Sequence, residues 1–242
     1  MHGSRRCVLV LASGRGVRMG GPKAIMHVGG EAWWRVQMRR LAGVESVWVV
    51  SAPVEAEMAR HDDAPTHRVL GEPDTPMFAS VVAGMRRLGE GDGSIGEKRD
   101  GVGAGGPPAP RGGGGAEKAM HPPGFVHVLP VDVPVPSARV FESLEMAASR
   151  AGVAVPSWEG VTGHPLCMTW AWGSANVLGH AHEAAEARLD ELSAAFRAVV
   201  AVDDPSVRVN LNTPEALRAW EAWGGGDAAR SERGEDQAGP RQ

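Results

Sequence analysis

Residues 8–23 of the chain are Val8-Leu9-Val10-Leu11-Ala12-Ser13-Gly14-Arg15-Gly16-Val17-Arg18-Met19-Gly20-Gly21-Pro22-Lys23. The apolar run at the start is typical of a buried strand, and it stops at a glycine-rich loop that carries three cationic side chains. Glycines let the backbone approach a ligand closely, so that successive N–H groups can point at one anion. The stretch therefore predicts a polyphosphate-binding loop at the carboxyl end of the first strand.

Three better-known glycine loops do not fit this stretch. The spacing of Gly14, Gly16 and Gly20 differs from the G-x-G-x-x-G of a dinucleotide-binding fold, and the next predicted strand ends without the carboxylate that would hold a ribose. A P-loop needs serine or threonine after its lysine, but Ala24 follows Lys23. A protein-kinase glycine loop lies in an antiparallel hairpin, whereas a helical segment is expected here. Taken alone, the stretch leaves a plain structural turn as the alternative.

Size, charge and cysteine content narrow the class of protein. The chain has 242 residues, a formal net charge of −4 and 2 cysteines. This balance excludes a global basic field for nucleic acid, so the cationic charge that matters is local, in the first loop. Cys7 and Cys167 have no C-x-x-C partner and are expected to be inert core thiols. No stretch approaches the length of a membrane span, and we expect a cytoplasmic protein that does not bind membranes.

Apolar runs and helical patterns alternate along the chain. Strands are predicted at residues 7–12, 46–51, 67–70, 125–130, 153–156, 166–169, 198–202 and 207–210. Helices are predicted at residues 32–42, 76–88 and 137–150, the last with a serine cap. The alternation predicts the α/β class, as a single Rossmann-like three-layer α/β/α domain with a mostly parallel sheet. Such sheets bind ligands at the carboxyl ends of their strands.

The domain is expected to cover residues 5–223. Residues 89–124 are rich in glycine and proline and lack apolar periodicity, which predicts a disordered insertion within the domain. Residues 224–242 form a polar segment that is predicted to be a disordered tail.

Two polar residues are candidates for a metal site. Asp132 directly follows a predicted strand, and Mg²⁺ commonly takes one or two protein oxygens besides phosphates and water. Its alternative role is to cap the helix near Ser137, although Ser137 is better placed for that cap. Asn212 offers an amide oxygen, but the sequence Asn212-Thr213-Pro214-Glu215 is equally a good helix entry. Ligand and cap both remain open for Asn212.

The first loop resembles the signature L-A-x-G-x-x-x-R-M-G-x-x-K of nucleotidyltransferases built on the MobA-like NTP transferase domain. Further segments resemble the motifs of that family in the same order along the chain: Lys23-Ala24-Ile25 with Val28-Gly29-Gly30 (the lysine-led segment), Ser80-Val81-Val82-Ala83-Gly84-Met85 (S-x-x-x-G-L), Val131-Asp132-Val133-Pro134 (D-x-P), Gly163-His164-Pro165 (G-H-P) and Asn210-Leu211-Asn212-Thr213-Pro214-Glu215 (N-x-N-T-P-E). The family includes molybdenum-cofactor cytidylyl- and guanylyltransferases and, more distantly, sugar-phosphate and methylerythritol-phosphate nucleotidyltransferases. The resemblance implies a fold like that of the nucleotide-diphospho-sugar transferases.

The resemblance also implies a function. It is transfer of an NMP from an NTP to a phosphorylated small-molecule acceptor, with Mg²⁺ as cofactor and pyrophosphate as the second product. Arg18, Lys23 and Asp132 are the expected catalytic residues, and Asp132 with Asn212 the expected metal ligands. The residues expected to bind the NTP are Leu11, Ala12, Ser13, Gly14, Arg15, Gly16, Lys23 and Ser80. The N–H groups of residues 13–16, with Arg15 and Arg18, are expected at the β- and γ-phosphates, and Lys23 at the α-phosphate or the bridging oxygen.

The base, the acceptor and the turnover itself are less constrained. Ser80 in its helix-opening pattern resembles the cytidylyl branches and favours CTP over GTP. The acceptor stays open between molybdopterin, a sugar phosphate and another phosphorylated molecule, and His164 either contacts it or is a turn histidine. The alternative function is a catalytically weak or inactive nucleotide-binding accessory or sensor protein, suggested by Ala216 and Asn212, where some branches of the family carry acidic residues. A dinucleotide-dependent oxidoreductase is disfavoured by the glycine spacing.

Overall fold

The computed structural model describes residues 5–90 and 122–222. Its strands are β1 (Arg6–Ala12), β2 (His27–Val28), β3 (Glu31–Ala32), β4 (Glu45–Val50), β5 (His67–Leu70), β6 (Phe125–Pro130), β7 (Val153–Trp158), β8 (Val161–Thr162), β9 (Leu166–Thr169) and β10 (Arg197–Ala201). Its α-helices are α1 (Trp33–Arg40), α2 (Ala52–Met58), α3 (Met77–Gly89), α4 (Ala138–Ala151), α5 (Trp170–Gly173), α6 (Leu189–Ser193) and α7 (Pro214–Ala222). The predicted tail and residues 91–121 of the predicted insertion lie outside the described residues.

One large sheet forms the centre of the domain. Its strand order is β10-β7-β9-β6-β1-β4-β5, and β8 pairs with β7. Neighbouring strands from β6 to β5 run parallel, and Leu11 of β1 lies opposite both Val49 and Pro130. β9 is antiparallel to both of its neighbours. The predicted α/β class with a mostly parallel sheet is confirmed, and the carboxyl ends of β1, β4, β5 and β6 lie along one edge.

Helices cover both faces of this sheet. Successive strand side chains point to opposite faces, so Leu9 and Leu11 join one core cluster while Val8 and Val10 join another. The first cluster includes the apolar stripe of α3, and the second includes buried residues of α1 and α2. The predicted three-layer arrangement is therefore confirmed. Across residues 5–90 and 122–222, the helices are all too short or too polar to cross a bilayer.

A buried polar network ties β6 to α4 and β9. His127 is fully buried, and its Nε2 lies 2.9 Å from the Glu145 carboxylate, which is also 2.8 Å from Nε of Arg6. Burial lowers the pKa of His127, and the contact with Glu145 offsets only part of that effect. Burial also raises the pKa of Glu145, but the contacts with His127 and Arg6 outweigh it and lower the pKa overall. Because both pKa values are lowered, His127 is a neutral imidazole beside the charged carboxylate of Glu145 at neutral pH.

The two cysteines are buried and free, as an inert core role requires. Cys167 lies with its Sγ 3.8 Å from Nε2 of His127. Burial raises the pKa of the Cys7 thiol to about 12, and burial likewise raises that of Cys167. Neither thiol is therefore ionised at neutral pH, which makes both poor nucleophiles.

The predicted strand at residues 207–210 is wrong, because Pro205–Arg208 forms a turn of 3-10 helix. The Asp204 carboxylate accepts hydrogen bonds from the N–H of Ser206 at 3.0 Å and from its hydroxyl at 2.5 Å. Pro205 follows this cap, where its restricted φ suits a helical turn. The capping chemistry thus outweighs the strand preference of Val207, whose side chain is fully buried.

Two helix starts also differ from expectation. α4 begins after Ser137 as predicted, but the Ser137 side chain makes no capping hydrogen bond. Its backbone N–H instead donates to the Asp204 carboxylate at 2.9 Å. α2 was not predicted, although Pro53 lies in its first turn, where proline is favoured.

Candidate functional site

The glycine loop after β1 folds back on itself. The carbonyl of Gly16 accepts hydrogen bonds from the N–H of Met19 at 2.8 Å and of Gly21 at 3.3 Å. Gly16 has a φ of +62°, and a Cβ at this position would lie 1.9 Å from the carbonyl oxygen of Gly21. Only glycine allows this close return of the chain. The loop therefore depends on Gly16 for its shape.

The first part of the loop has free backbone donors. Among residues 5–90 and 122–222, the N–H groups of Gly14, Arg15 and Gly16 have no hydrogen-bond acceptor. Unpaired backbone N–H groups in a glycine loop are suited to bind an anion. The predicted polyphosphate-binding character of this loop is therefore compatible with its hydrogen bonding.

The loop forms one wall of a cleft of about 430 Å³ at the carboxyl edge of the sheet. The predicted site residues that line it are Leu11, Ser13, Gly14, Gly16, Arg18, Lys23, Ser80, Asp132 and Asn212. Two predicted residues lie outside this lining. Ala12 is buried on the opposite face of β1, and Arg15 pairs with Asp74, both of whose side chains are more than half exposed.

Lys23 joins the two candidate metal ligands. Its ammonium donates one hydrogen bond to Oδ2 of Asp132 at 2.6 Å and another to Oδ1 of Asn212. The side chains of Lys23 and Asp132 are only 20% and 15% exposed, so solvent screens this ion pair less than a surface pair. Three residues far apart in sequence thus meet at one point in the cleft.

The Asp132 segment is fixed from below by α1. Gln37 is fully buried, and its Nε2 donates to the carbonyls of Val131 at 3.2 Å and Val133 at 2.7 Å. Its Oε1 accepts a hydrogen bond from the N–H of Val135 at 2.9 Å. Trp33 also donates through Nε1 to the carbonyl of Val131 at 2.5 Å. Side chains of α1 therefore anchor the backbone of this loop both before and after Asp132.

The role of Gln37 was not predicted from the sequence, although a signal was present. Gln37 lies four residues after Trp33 and four before Leu41, on the stripe of α1 that faces the core. A polar residue in an apolar stripe must find buried partners, because an unpaired buried amide is costly.

The two open roles of Asn212 are separated by its neighbour. Thr213 accepts a hydrogen bond at Oγ1 from the N–H of Ala216 at 3.2 Å and so caps α7. The amide oxygen of Asn212 contacts Lys23 instead. The N–H of Leu211 donates to the carbonyl of Asp132 at 2.8 Å, which holds the two segments side by side.

The two oxygens that meet at the Lys23 ammonium fit a magnesium ion. A carboxylate oxygen and an amide oxygen are hard donors, and their contact with a single cation shows that they converge. The described part of the chain has no cluster of three or more His, Cys, Asp and Glu side chains suited to a metal. An ion held here would therefore share its coordination sphere with phosphate oxygens and water.

Two serines and a histidine complete the surroundings. The hydroxyls of Ser13 and Ser80 lie 3.0 Å apart and are both buried in the wall of the cleft. The backbone of His164 is held in place, because its backbone N–H donates to the carbonyl of Val207 at 2.8 Å. Burial lowers the pKa of His164, and the nearby Asp132 carboxylate offsets part of the effect. His164 is therefore neutral at physiological pH and close to the Asp132 charge.

Comparison with known proteins agrees with this architecture. A sequence profile described as the MobA-like NTP transferase domain matches residues 8–199. No curated protein sequence matches the chain. One solved structure with a similar fold is molybdopterin-guanine dinucleotide biosynthesis protein A from Archaeoglobus fulgidus, with 16% identity, a TM-score of 0.62, and coverage of 90% of this chain and 98% of that one.

Two other solved structures are similar to a comparable extent. The 2-C-methyl-D-erythritol 4-phosphate cytidylyltransferase from Thermus thermophilus has 18% identity and a TM-score of 0.55, covering 90% of this chain and 98% of that one. Rv0371c from Mycobacterium tuberculosis H37Rv, in complex with manganese, has 14% identity and a TM-score of 0.55, covering 90% and 99%. At such identities the likeness concerns the fold. Because the profile match spans most of the sequence, the chain belongs to the MobA-like NTP transferase domain family and is a nucleotidyltransferase.

Proposed function

We propose that the chain transfers a cytidylyl group from CTP, in preference to GTP, to a phosphorylated small-molecule acceptor with the help of Mg²⁺. The observation that carries the proposal is the meeting of Lys23, Asp132 and Asn212 beside the glycine loop in one cleft. A cation, two oxygen ligands and free loop N–H groups are the parts that nucleotidyl transfer needs.

The loop holds the triphosphate end of the nucleotide. The N–H groups of Gly14, Arg15 and Gly16 are available to phosphate oxygens, and Arg18 in the cleft lining adds a positive charge. Arg15 contributes its backbone in this arrangement, because its side chain is paired with Asp74. The β- and γ-phosphates are thereby kept as a leaving group.

Asp132 and Asn212 hold the metal. A Mg²⁺ ion held by them would supply charge neutralisation at the phosphate oxygens. The Lys23 ammonium contacts both of these oxygens, so an ion bound to them would displace it and leave it free to bind a phosphate oxygen in the cleft. Its role is to stabilise negative charge at the α-phosphate.

The reaction needs no general base. An oxygen of the acceptor phosphate, already ionised, attacks the α-phosphorus; the new O–P bond forms as the bond to the β-phosphate oxygen breaks. The electron pair leaves with pyrophosphate, and the total charge is unchanged without any proton transfer. Positioning and electrostatics are thus the contribution of the enzyme.

Ser13 and Ser80 support the preference for CTP. Their hydroxyls line the cleft and hydrogen-bond to each other; the one that donates in this pair can still accept from a base edge, and the other can still donate to it. We infer that they contact the pyrimidine, in keeping with the resemblance of the Ser80 segment to the cytidylyl branches.

A thermal-shift screen of ATP, CTP, GTP and UTP, each with and without Mg²⁺, tests the proposal. A ligand that binds only the native state at 100 times its Kd adds about 2.7 kcal/mol of stability, or roughly 5–10 °C in Tm for a domain of this size. We expect the largest shift with CTP and Mg²⁺. A larger shift with GTP would contradict the base preference, and no shift with any NTP would contradict the function.

Two variants test the metal assignment. Asp132→Asn keeps the shape of the side chain but removes its charge, so we expect the Mg²⁺-dependent part of the CTP shift to disappear. The matched control is Asp63→Asn, at a side chain that is 61% exposed and paired with Arg35 on the surface. An unchanged Mg²⁺ effect in a folded Asp132→Asn protein would overturn the assignment. Pyrophosphate release across a panel of phosphorylated acceptors distinguishes an enzyme from a protein that only binds nucleotide.

A further inference from the structure

A second cavity of about 470 Å³ lies next to the cleft. Met77 and Pro130 line both spaces, so the two are neighbours along the carboxyl end of β6. His164 lines the second cavity and lies within the electrostatic influence of Asp132 in the first. A molecule in the second cavity can therefore present one end to the Asp132 region.

Part of the lining of this cavity is apolar. Val128 of β6, Val155 of β7, Leu166 of β9 and Leu189 of α6 contribute to it, and each is less than one-tenth exposed. Small-molecule sites commonly combine such an apolar lining with a few polar groups that set orientation. An apolar part of a ligand can therefore be buried against these side chains.

The same lining also carries uncompensated positive charge. Arg188, Arg197 and Arg208 line the cavity. Arg188 is balanced by Asp190 at 2.9 Å and Glu191 at 3.3 Å, but within residues 5–90 and 122–222 the side chains of Arg197 and Arg208 have no ion-pair or hydrogen-bond partner. Unpaired guanidinium groups in the lining of a cavity favour the binding of anionic ligands.

The two free arginines approach the cavity at different levels. Arg208 ends the turn whose Val207 carbonyl holds His164, so it belongs to the side near Asp132. Arg197 begins β10 at the register of Val153, whereas β7 continues in the same direction to Trp158. At about 3.3 Å per residue, the Cα of Arg197 lies roughly 16 Å before the carboxyl edge of the sheet. Arg197 therefore serves the far end of the cavity.

We propose that the second cavity binds the acceptor, and that the acceptor is a phosphate ester with an apolar body and a second anionic group. This inference rests on the proposed function. The reacting phosphate lies near His164 and Arg208, from where it reaches the nucleotide in the first cleft. The apolar body contacts the buried side chains of Val128 and Leu166, and the second anionic group pairs with Arg197.

Isothermal titration with two matched probes tests this assignment. The probes are 4-carboxyphenyl phosphate and phenyl phosphate, which differ only in the distal carboxylate. The protein is first saturated with Mg²⁺ and α,β-methylene-CTP, which cannot release pyrophosphate, so that the cleft is filled. We expect the carboxylated probe to bind about tenfold more tightly, the order of one charge-assisted hydrogen bond.

Three substitutions assign the effect. Arg197→Gln is expected to abolish the tenfold preference, and Arg208→Gln to weaken both probes alike. Arg139→Gln, an exposed arginine of α4 that lines neither space, is the matched control and should leave both affinities unchanged. Equal binding of the two probes to the original protein would overturn the inference, as would a preference that survives Arg197→Gln.

The result is separable from that of the proposed function. If α,β-methylene-CTP binds and the probes are not distinguished, the acceptor inference fails while nucleotide binding stands. If the nucleotide analogue does not bind, the proposed function fails. Titration without nucleotide then shows whether the cavity still prefers the carboxylated probe.

Discussion

Replacement of Gln37 by leucine is expected to weaken metal binding at the proposed site of Asp132 and Asn212, although Gln37 is not itself a ligand. Gln37 does not line the cleft, but its amide holds the carbonyls of Val131 and Val133 and the N–H of Val135. These groups flank Asp132. Without them the segment loses the anchors that set the position of the carboxylate relative to Asn212.

The size of the effect follows from the hydrogen bonds. The carbonyl of Val131 keeps its contact with Trp33 at 2.5 Å, so Gln37→Leu leaves two buried backbone groups without their partner. Each such group costs about 1–3 kcal/mol. A loss of about 4 kcal/mol in the free energy of unfolding lowers Tm by roughly 8–16 °C for a domain of this size.

The assay compares the Kd for CTP with and without Mg²⁺, by calorimetry at a temperature where all variants are folded. We expect Gln37→Leu to reduce the gain from Mg²⁺ by about tenfold, which corresponds to about 1.4 kcal/mol. Leu144→Ala is the matched control, because Leu144 is fully buried in α4 and its truncation costs a similar amount, about 2–5 kcal/mol, away from the cleft. If the two variants lose the same share of the Mg²⁺ gain, Gln37 has only a structural role.

Three other perturbations give distinct outcomes. Gly16→Ala should weaken CTP binding at least tenfold in a calorimetric titration, since its Cβ would collide with the carbonyl of Gly21; Gly21→Ala, with open space around it, should bind nearly normally. Burial lowers the pKa of His127 in the folded protein, so as the pH falls below 6.5 the unfolded state takes up the proton first and the free energy of unfolding decreases. His127→Gln should reduce this decrease, as measured by urea unfolding. His182→Gln, on a side chain 73% exposed, should keep the original slope, which is at most about 1.4 kcal/mol per pH unit for one group. Asn212→Asp should lower the Kd for Mg²⁺ of the nucleotide-free protein about tenfold by titration calorimetry, and an unchanged Kd would count against a shared cation site.

The sequence alone predicts that Lys23 and Asp132 lie at the same edge of the sheet, because both follow strand-like runs. Parallel strands bring their carboxyl ends to one edge, so residues after β1 and β6 become neighbours although 109 positions separate these two. The direction of β9 was not accessible, because a short apolar run such as Leu166–Thr169 has the same pattern in a parallel or an antiparallel pair.

Contacts between distant segments could not be predicted from the sequence for a different reason. The pairing of Arg15 with Asp74 depends on where the loop before α3 lies, and no local pattern specifies that position. The cavity served by Arg197 and Arg208 likewise needs the register of β10 against β7. Such contacts follow from tertiary packing, whereas motifs and periodicity report only on neighbours in sequence.

The charge of the cleft explains why asparagine suits position 212. The charged residues of its lining are Arg18, Lys23 and Asp132, whose charges of +1, +1 and −1 leave a net +1. Under the proposed function, a triphosphate with about four negative charges would arrive with a doubly charged magnesium ion, so the filled cleft would be close to neutral, at about −1. A second carboxylate would add repulsion toward the nucleotide while strengthening the hold on the metal alone. Asn212 contributes an oxygen ligand without that charge, and metal and nucleotide are then expected to bind together better than either binds separately.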